Sequence, residues 1–532
     1  MNQAMKPRSK VGPTVRLLPV AGEVVVRMYR VGHGDCFLLA FGRPARDPFY
    51  MLIDCGAEDS GHPAPLSQVA ADIAAATLGH LDVLVISHEH KDHISGFHAG
   101  ETVRKVFEEQ MRIDHLWLAW TEKGETGDRS RDERKRIRKL VEAALEENPS
   151  DKRVKMRLET ARKNLGDDTT CANHEAMSWL QATCGKTSYL EPRRSIEIEG
   201  LQGVARVHVL GPPEDIAQLF TAGKPTKKEE NSEETYPRAL AEVPTIETSF
   251  AAALGIAGGD EPASVARKNS LCPFDRRYAL KPDDARSFQL PAQSLDRLST
   301  EVDPFFFRSH YFKKGISATR RIDDEWLAPA AEYALNVQSH ANNACLVLAI
   351  ELVESEHVLL FPGDAEIGNW LSWIDASWSV AKADGSESRV SVRDLLRRTV
   401  LYKVGHHGSY NGTLRKDGLE IMGAEGGRER CFTALLPVNE RGASKRFQLP
   451  NQPVVDGLLN RTDGRLVRSD EDDLEDQKTI SKPKLKRNFK GIVTKTTTSH
   501  YFDLTIRSSH RSWPYADANP GQSILKARKT LS

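Results

Sequence analysis

The residues with the clearest chemical potential lie in the segment 88–93, which holds three histidines and one aspartate within six positions. The preceding run 81–86 is short, β-branched and apolar, which predicts a strand buried on both faces. Because positions i and i+2 of an extended segment share a side, His88 and His90 can bind one cation together. Asp92 and His93, in the turn that follows, can reach a second cation. Imidazole and carboxylate ligands suit zinc, and less exclusively manganese or iron, whereas a histidine-rich surface loop without a metal is the alternative.

The chain has 532 residues, 39% of them apolar, and a formal net charge of zero. This length predicts about two to four domains, and the charge balance excludes a uniformly basic nucleic-acid binder. Seven cysteines without a Cys-x-x-Cys pair favour reduced thiols over a disulfide framework. Because residues 1–19 lack a signal-peptide core and no apolar run approaches about eighteen residues, we expect a cytoplasmic protein that does not enter a membrane.

Hydrophobic runs and turn residues predict an alternation of strands and helices in the first part of the chain. The predicted strands are 23–31, 36–41, 49–55, 81–86 and 113–120, and an alanine-rich helix covers 65–78. This alternation predicts a layered domain of the α/β class. We therefore place an N-terminal extension at 1–22 and the first half of a core domain at 23–120.

The sequence changes character at Thr121 and resumes the pattern of the core near residue 337. Residues 129–139 contain seven basic and two acidic residues within a helical pattern, which indicates either a solvated hairpin or a platform for an anionic substrate or partner. Strands return at 196–211, and 221–321 shows little periodicity. We assign 121–336 to an insertion, helical and then largely irregular, 337–468 to the second half of the core, and 469–532 to a charged linker and C-terminal strands.

Several motifs in a fixed order indicate a related family. The pattern His-x-His-x-Asp-His after a buried strand resembles the metallo-β-lactamase (MBL) superfamily of dinuclear metallohydrolases. Further stretches resemble its ComEC/Rec2-like subgroup: YRVGHGDCFLL at 29–39, MLIDCG at 51–56, GDAE at 363–366, KVGHHGS at 403–409 and RTDG at 461–464. The resemblance implies a four-layer αββα sandwich, in which two sheets pack face to face with helices outside, interrupted by the insertion.

The resemblance also implies a two-metal site at one edge of this sandwich. Asp364 would bridge two cations about 3.5–4 Å apart, and its alternative role is to cap the helix that follows. In related phosphoesterases the second of two paired histidines usually binds metal, so we assign His407 to the metal and His406 to the substrate, with the reverse order left open. The implied metal ligands are His88, His90, Asp92, His93, Asp364 and His407.

Other residues of these motifs would support the ligands or face the substrate. In the family, an aspartate at the position of Asp54 orients a metal-ligating histidine. Asn343 lies where many members carry a further metal-binding histidine. His33 replaces the glutamine usual in the subgroup and is either a substrate-facing or supporting group or a turn residue without a role. The remaining candidates are Asp35, Lys403 and Ser409.

These expectations describe a hydrolase with two divalent metal ions, zinc favoured and manganese the alternative. The ions would lower the pKa of a bridging water toward about 7 and present hydroxide, with Asp92 at the metals and His406 stabilising the developing charge. Because ComEC-like domains are implicated in degrading DNA, the resemblance favours a phosphodiesterase or nuclease. Two alternatives stay open: a hydrolase of a small ester, lactone or amide, and a non-catalytic binding or partner subunit that uses the insertion as its interface.

Overall fold

The structure is a computed structural model that describes residues 16–58, 64–124, 169–214, 341–381, 386–425, 431–440, 449–471, 493–495 and 500–507, with single residues or short pieces between 141 and 159 and at 442 and 444. The chain divides into two units. The first comprises Met1–Gly127, Asp168–Tyr236 and Ser339–Ser532, and the second comprises Asp128–Asp167 and Pro237–Gln338. The predicted irregular stretch 221–321 and most of the predicted helical hairpin lie outside the described residues.

Within the described residues of the first unit, eight strands form the first sheet, in the order β16-β17-β1-β2-β3-β4-β5-β6. Strands β3 to β6 run parallel to one another, whereas the remaining neighbours are antiparallel. The bounds are β1 Glu23–Tyr29, β2 Cys36–Phe41, β3 Phe49–Cys55, β4 His80–Val85, β5 Arg112–Ala119, β6 Lys186–Leu190, β16 Val493–Lys495 and β17 Tyr501–Arg507.

Seven further described strands form the second sheet, in the order β15-β14-β13-β10-β9-β8-β7. Strands β10, β13, β14 and β15 are parallel, and β7 to β10 are antiparallel. Strands β11 Ser377–Ala381 and β12 Glu387–Ser391 form a separate hairpin. The bounds in the second sheet are β7 Arg194–Glu197, β8 Ala205–Gly211, β9 Val347–Leu352, β10 His357–Phe361, β13 Thr399–Lys403, β14 Thr433–Leu436 and β15 Leu466–Arg468.

Strand side chains alternate between two apolar environments. On β1, Val24 and Val26 belong to a buried cluster that also contains Leu348 and Ile350 of β9, so this cluster is built from both sheets. The intervening Val25 belongs to a second cluster, which joins the first sheet to helices. This period of two is what strands with both faces buried require. The α/β class predicted from the sequence is confirmed.

Helices supply the remaining apolar surfaces. Val69 and Ile73 of α1 pack in the second cluster with the first sheet. Trp370 and Trp373 of α5 pack in a third cluster with the second sheet. The helices are α1 Leu66–Thr77, α2 Lys91–Ile94, α3 Thr102–Gln110, α4 Thr169–Thr183, α5 Ile367–Trp373, α6 Val392–Arg397 and α7 Gln452–Arg461.

Residues 186–211, which we assigned to the insertion with strands from residue 196, contain β6, β7 and β8, which pair within the two sheets. β6 pairs in parallel with β5, and β8 pairs with β9 along most of its length. The core therefore resumes well before residue 337. The sequence did not predict β6 because four of its five residues are exposed or half-buried, so the strand has little hydrophobic pattern.

A buried charged network joins β17 to β1. Arg27 of β1 donates to both carboxylate oxygens of Asp503 at 2.7 and 2.8 Å and to Asp72 of α1 at 2.8 Å. Its guanidinium also lies 3.5 Å from the ring centre of Tyr501. An arginine that is 2% exposed is thereby fully paired, which offsets the cost of burying its charge.

Strand ends place the polar motifs. β3 and β4 are parallel and end at Cys55 and Val85, next to Asp54 and just before the segment 88–93. β10 and β13 are also parallel, and their carboxyl ends lead to Asp364 and to the pair at 406–407. Parallel strands bring their carboxyl ends to one edge of a sheet, so each sheet presents polar residues at one edge.

Candidate metal centre

Four buried or nearly buried side chains form the centre of the site: Asp92, His93, Asp364 and His407. One ligand atom from each lies within 4.8 Å of the others. Asp364 Oδ2 is 3.2 Å from His93 Nε2 and 3.3 Å from His407 Nε2. Asp92 Oδ2 is 2.9 Å from the same His407 nitrogen. Two imidazoles and two carboxylates facing one point make a suitable ligand set for a divalent transition metal.

The charges of this group control one another. Burial alone would lower the pKa of His407, but the carboxylates of Asp364, Asp92 and Asp35 together outweigh it and raise that pKa to about 10. The pKa of His93 is also raised, because the Asp364 and Asp92 carboxylates outweigh its burial. The two histidines and Lys403 in turn hold the pKa of Asp364 below its ordinary value despite its burial. Positive charge is therefore favoured at the centre of the group, which is the charge that a metal ion would bring.

Asp54 fixes the orientation of His93. Its Oδ2 accepts a hydrogen bond from His93 Nδ1 at 2.8 Å, and its two oxygens accept from the Ser87 amide at 2.8 Å and hydroxyl at 2.6 Å. Because Nδ1 is used in this way, Nε2 is the nitrogen that faces Asp364. Sequence analysis did not single out Ser87, whose signal is a small hydroxyl residue directly before the first histidine.

Lys403 lies beneath the group and does not face the solvent. Its Nζ, on a side chain that is 1% exposed, donates to the Gly363 carbonyl at 2.8 Å and contacts Asp364 Oδ1 at 3.2 Å and Asp35 Oδ2 at 2.5 Å. The bond to Oδ1 leaves Oδ2 of Asp364 directed at the two histidines. Lys403 and Asp35 thus hold a ligand in place, and neither is positioned to touch a substrate.

His88 and His90 lie beside this group. The His88 ring centre is 4.2 Å from that of His93 and 4.5 Å from that of His90. Among the described residues, the structure does not gather His88 and His90 with a third ligand as closely as the four-residue group. Nevertheless, the Nε2 atoms of His88 and His93 are buried without a hydrogen bond. Buried imidazole nitrogens rarely lack a hydrogen bond, and coordination to a metal ion would supply the missing partner. These residues therefore fit the implied metals.

The adjacent histidines at 406 and 407 differ in their environments. His407 Nδ1 donates to the Pro437 carbonyl at 2.8 Å, which directs Nε2 to the carboxylates of Asp92 and Asp364. His406 lies outside the four-residue group, and its side chain is 20% exposed. Of the two, His407 therefore faces the carboxylates of the group, whereas His406 does not belong to it.

Both histidines have left-handed backbones, with φ of 44° at His406 and 48° at His407. Asp54 has φ of 55°. Non-glycine residues pay on the order of 1–3 kcal/mol for such a conformation, and it is typical of functional sites where the surrounding structure imposes it. Three such positions at the ends of β3 and β13 indicate that the fold accepts strain to place these side chains.

Three residues that were predicted to support the ligands or face the substrate make the following contacts. Asn343 is fully buried, and its Oδ1 accepts from the Asn369 amide in α5 at 3.0 Å, so it supports a helix. The Ser409 hydroxyl donates to Asn411 Oδ1 at 2.7 Å within its own loop. His33 packs its ring 4.1 Å from that of His407, with Nδ1 2.9 Å from Ser444 Oγ. It therefore supports a ligand from the side.

Two residues without a predicted role, Asn342 and Glu366, lie against His406. Asn342, next to Asn343, lies 3.5 Å from His406 Nε2 and donates to Glu366 Oε1 at 2.8 Å. Glu366 is the last residue of the GDAE motif, in which the sequence predicted a role for Asp364 alone. Its signal was its position two residues after Asp364, on the turn that leads into α5.

No protein-family model and no curated protein matches this chain in sequence comparisons. Across the described ranges, no helix has both the length and the apolar character needed to cross a membrane.

Proposed function

We propose that this chain is a metal-dependent hydrolase with the MBL fold, a four-layer αββα sandwich, and that it holds two divalent metal ions, zinc favoured over manganese. The observation that carries the proposal is the group formed by Asp92, His93, Asp364 and His407, with ligand atoms within 4.8 Å. The buried His88 Nε2, which makes no hydrogen bond, supports a second ion next to it. The apolar cluster built from both sheets and the two clusters that join sheets to helices support the layered architecture.

When bound, the ions would activate a water molecule and neutralise charge on the substrate. The side chains of this chain perform the other tasks. Asp54 holds His93 through Nδ1, and the Pro437 carbonyl holds His407 in the same way. His406 is outside the ligand group and partly exposed, so it can donate a hydrogen bond to charge that develops on the substrate.

We further propose that the substrate is a phosphodiester, with nucleic acid as the favoured class. The support is the ComEC-like order of the motifs at 88–93, 363–366 and 403–409. A histidine beside the metal-binding group also suits the negative charge that accumulates on a phosphoryl oxygen during hydrolysis.

The test combines metal content with hydrolysis of bis- and mono-p-nitrophenyl phosphate. His407→Ala should lose both metal and activity, because an imidazole nitrogen of the coordination shell is removed. His406→Ala should keep its metal and lose about 10²–10³-fold in turnover, the usual cost of removing one transition-state donor. The matched control is His115→Ala, which removes a half-buried histidine of β5 that belongs to none of the candidate ligand groups among the described residues. Full metal content in His407→Ala, or no hydrolysis by metal-loaded wild type, would contradict the proposal.

A further inference from the structure

A second polar cluster lies against His406, outside the metal-binding group. It contains Asn342 and Glu366, which are 1% and 4% exposed. Asn342 Nδ2 donates to Glu366 Oε1 at 2.8 Å and lies 3.5 Å from His406 Nε2. Glu366 Oε1 is 3.4 Å from His406 Nδ1. These three side chains therefore form one network around the residue that we place against the substrate.

Two acceptor atoms of this cluster are unused. Among the described residues, Asn342 Oδ1 and Glu366 Oε2 are buried and make no hydrogen bond. Buried polar atoms in native proteins are nearly always hydrogen-bonded, so this pair needs an explanation. The nearby Asp35 Oδ1 is also buried without a hydrogen bond, but the carboxylates of Asp35 and Asp364 both contact the Lys403 ammonium. Asn342 and Glu366 thus have acceptor capacity left for a ligand.

The chemistry of the two acceptors selects the group that they can bind. A phosphate oxygen without a proton has nothing to donate and would be repelled by the Glu366 carboxylate. A hydroxyl group donates and fits beside a carboxylate or an amide oxygen. Because both side chains lie within 3.5 Å of His406, the hydroxyl must be close to the scissile phosphate. The ribose 2′-hydroxyl meets this requirement, since its carbon adjoins the one that carries the 3′ ester.

An exposed aromatic residue lies near the same cluster. Tyr410 is 47% exposed and follows His406 by four residues in the same loop. Trp370 Nε1 anchors this loop by donating to the Gly412 carbonyl at 3.1 Å. An exposed aromatic face beside a sugar site is a suitable surface for stacking a nucleobase.

We infer that Asn342 and Glu366 form a subsite for the ribose 2′-hydroxyl next to the scissile phosphodiester, with Tyr410 stacking the attached base. Glu366 Oε2 accepts the single hydroxyl hydrogen, and Asn342 Nδ2 holds that carboxylate through Oε1. The inference rests on the proposed phosphodiesterase function and specifies its substrate class as ribonucleotide rather than deoxyribonucleotide. Asn342 and Glu366 are specificity-determining residues in this scheme.

The experiment uses the metal-loaded full chain and three oligonucleotides of one sequence, with a ribo, 2′-deoxy or 2′-fluoro sugar at a single cleavable position. The readout is the ratio of kcat/KM values, so that a general loss of activity cancels. Wild type should prefer the ribo substrate about 10–100-fold, the range expected for one charge-assisted hydrogen bond. Glu366→Gln and Asn342→Leu should each reduce that preference to about threefold or less. The control Glu387→Gln alters an exposed glutamate of β12 and should keep the preference.

Each result decides a separate point. Equal cleavage of the three oligonucleotides by wild type, or an undiminished preference in both variants, would overturn the subsite. An unchanged KM in Tyr410→Ala, an exposed position that tolerates substitution, would overturn the stacking role. If metal-loaded wild type cleaves neither oligonucleotides nor bis-p-nitrophenyl phosphate, the proposed function itself fails, which distinguishes that failure from failure of the subsite.

Discussion

Metal binding by the metal-free protein near pH 7 should release about two protons for the ion bound by Asp92, His93, Asp364 and His407. Without metal, burial lowers the pKa of His407, but the carboxylates around it, Asp364 foremost, raise it to about 10, and the same carboxylates raise the pKa of His93. Both imidazoles are then protonated at pH 7. Their Nε2 atoms must lose these protons before they can bind a metal ion.

The magnitude follows from counting the protonated ligands. Two protons released per ion make the apparent association constant rise about 100-fold per pH unit around pH 7. The second proposed ion should behave differently, because burial and the neighbouring His93 lower the pKa of His88, and burial also lowers that of His90. Both are neutral at pH 7, so an ion held by these two residues should release almost no protons.

Calorimetric titration of the metal-free protein in two weakly chelating buffers of different ionisation enthalpy measures the released protons directly. His406→Ala, outside the ligand group, should still release two. His407→Ala should release at least one fewer. Proton-neutral binding by the wild-type protein, or an identical count in His407→Ala, would refute the reasoning.

Two further changes test the parts that support the site and the second sheet. Asp54→Asn removes the carboxylate that fixes His93 and should weaken metal binding about 10–100-fold, as competition with a chelator would show; unchanged affinity would mean that Asp54 does not orient the ligand. Glu351→Gln should lower the free energy of unfolding by about 3 kcal/mol at pH 7, because the hydrogen bond from His208 and the charge of Arg398 outweigh burial and lower the pKa of Glu351 to about 2. The stability that Glu351 contributes is complete above its pKa in the unfolded chain, about 4.5, and is lost as the pH falls toward 2. The free energies of unfolding of the two proteins, measured with denaturant, should therefore converge in acid. A constant difference between them from pH 7 to pH 2 would contradict this reasoning.

The sequence predicted best where burial imposes a regular pattern. β2 and β3 were predicted with the bounds that the structure has, because continuous apolar runs end at turn residues. The grouping of Asp92 and His93 followed from the turn after β4. The meeting of this turn with His407, 315 positions later, required the family resemblance, since no local pattern carries a contact at that separation.

The sequence failed where one position decides which way a side chain faces. Asn342 and Asn343 are chemically the same, yet one contacts His406 and the other supports α5. In a short helical segment, neighbouring residues point about 100° apart, so an error of one residue exchanges a site residue for a structural one. Similarly, the half-exposed β6 lacked the apolar run that would have assigned it to the first sheet.

The network of Arg27, Asp72 and Asp503 has a consequence for how the protein is made. Arg27 meets Asp503 across 476 positions, so a ribosome adding about 5–20 residues per second needs roughly half a minute to a minute and a half between them. Throughout that interval β1 lacks its β17 neighbour, and an arginine destined for burial lacks one of its two carboxylates. Such an unpaired edge invites pairing with other chains. The first sheet is therefore completed only after β17 has been synthesised.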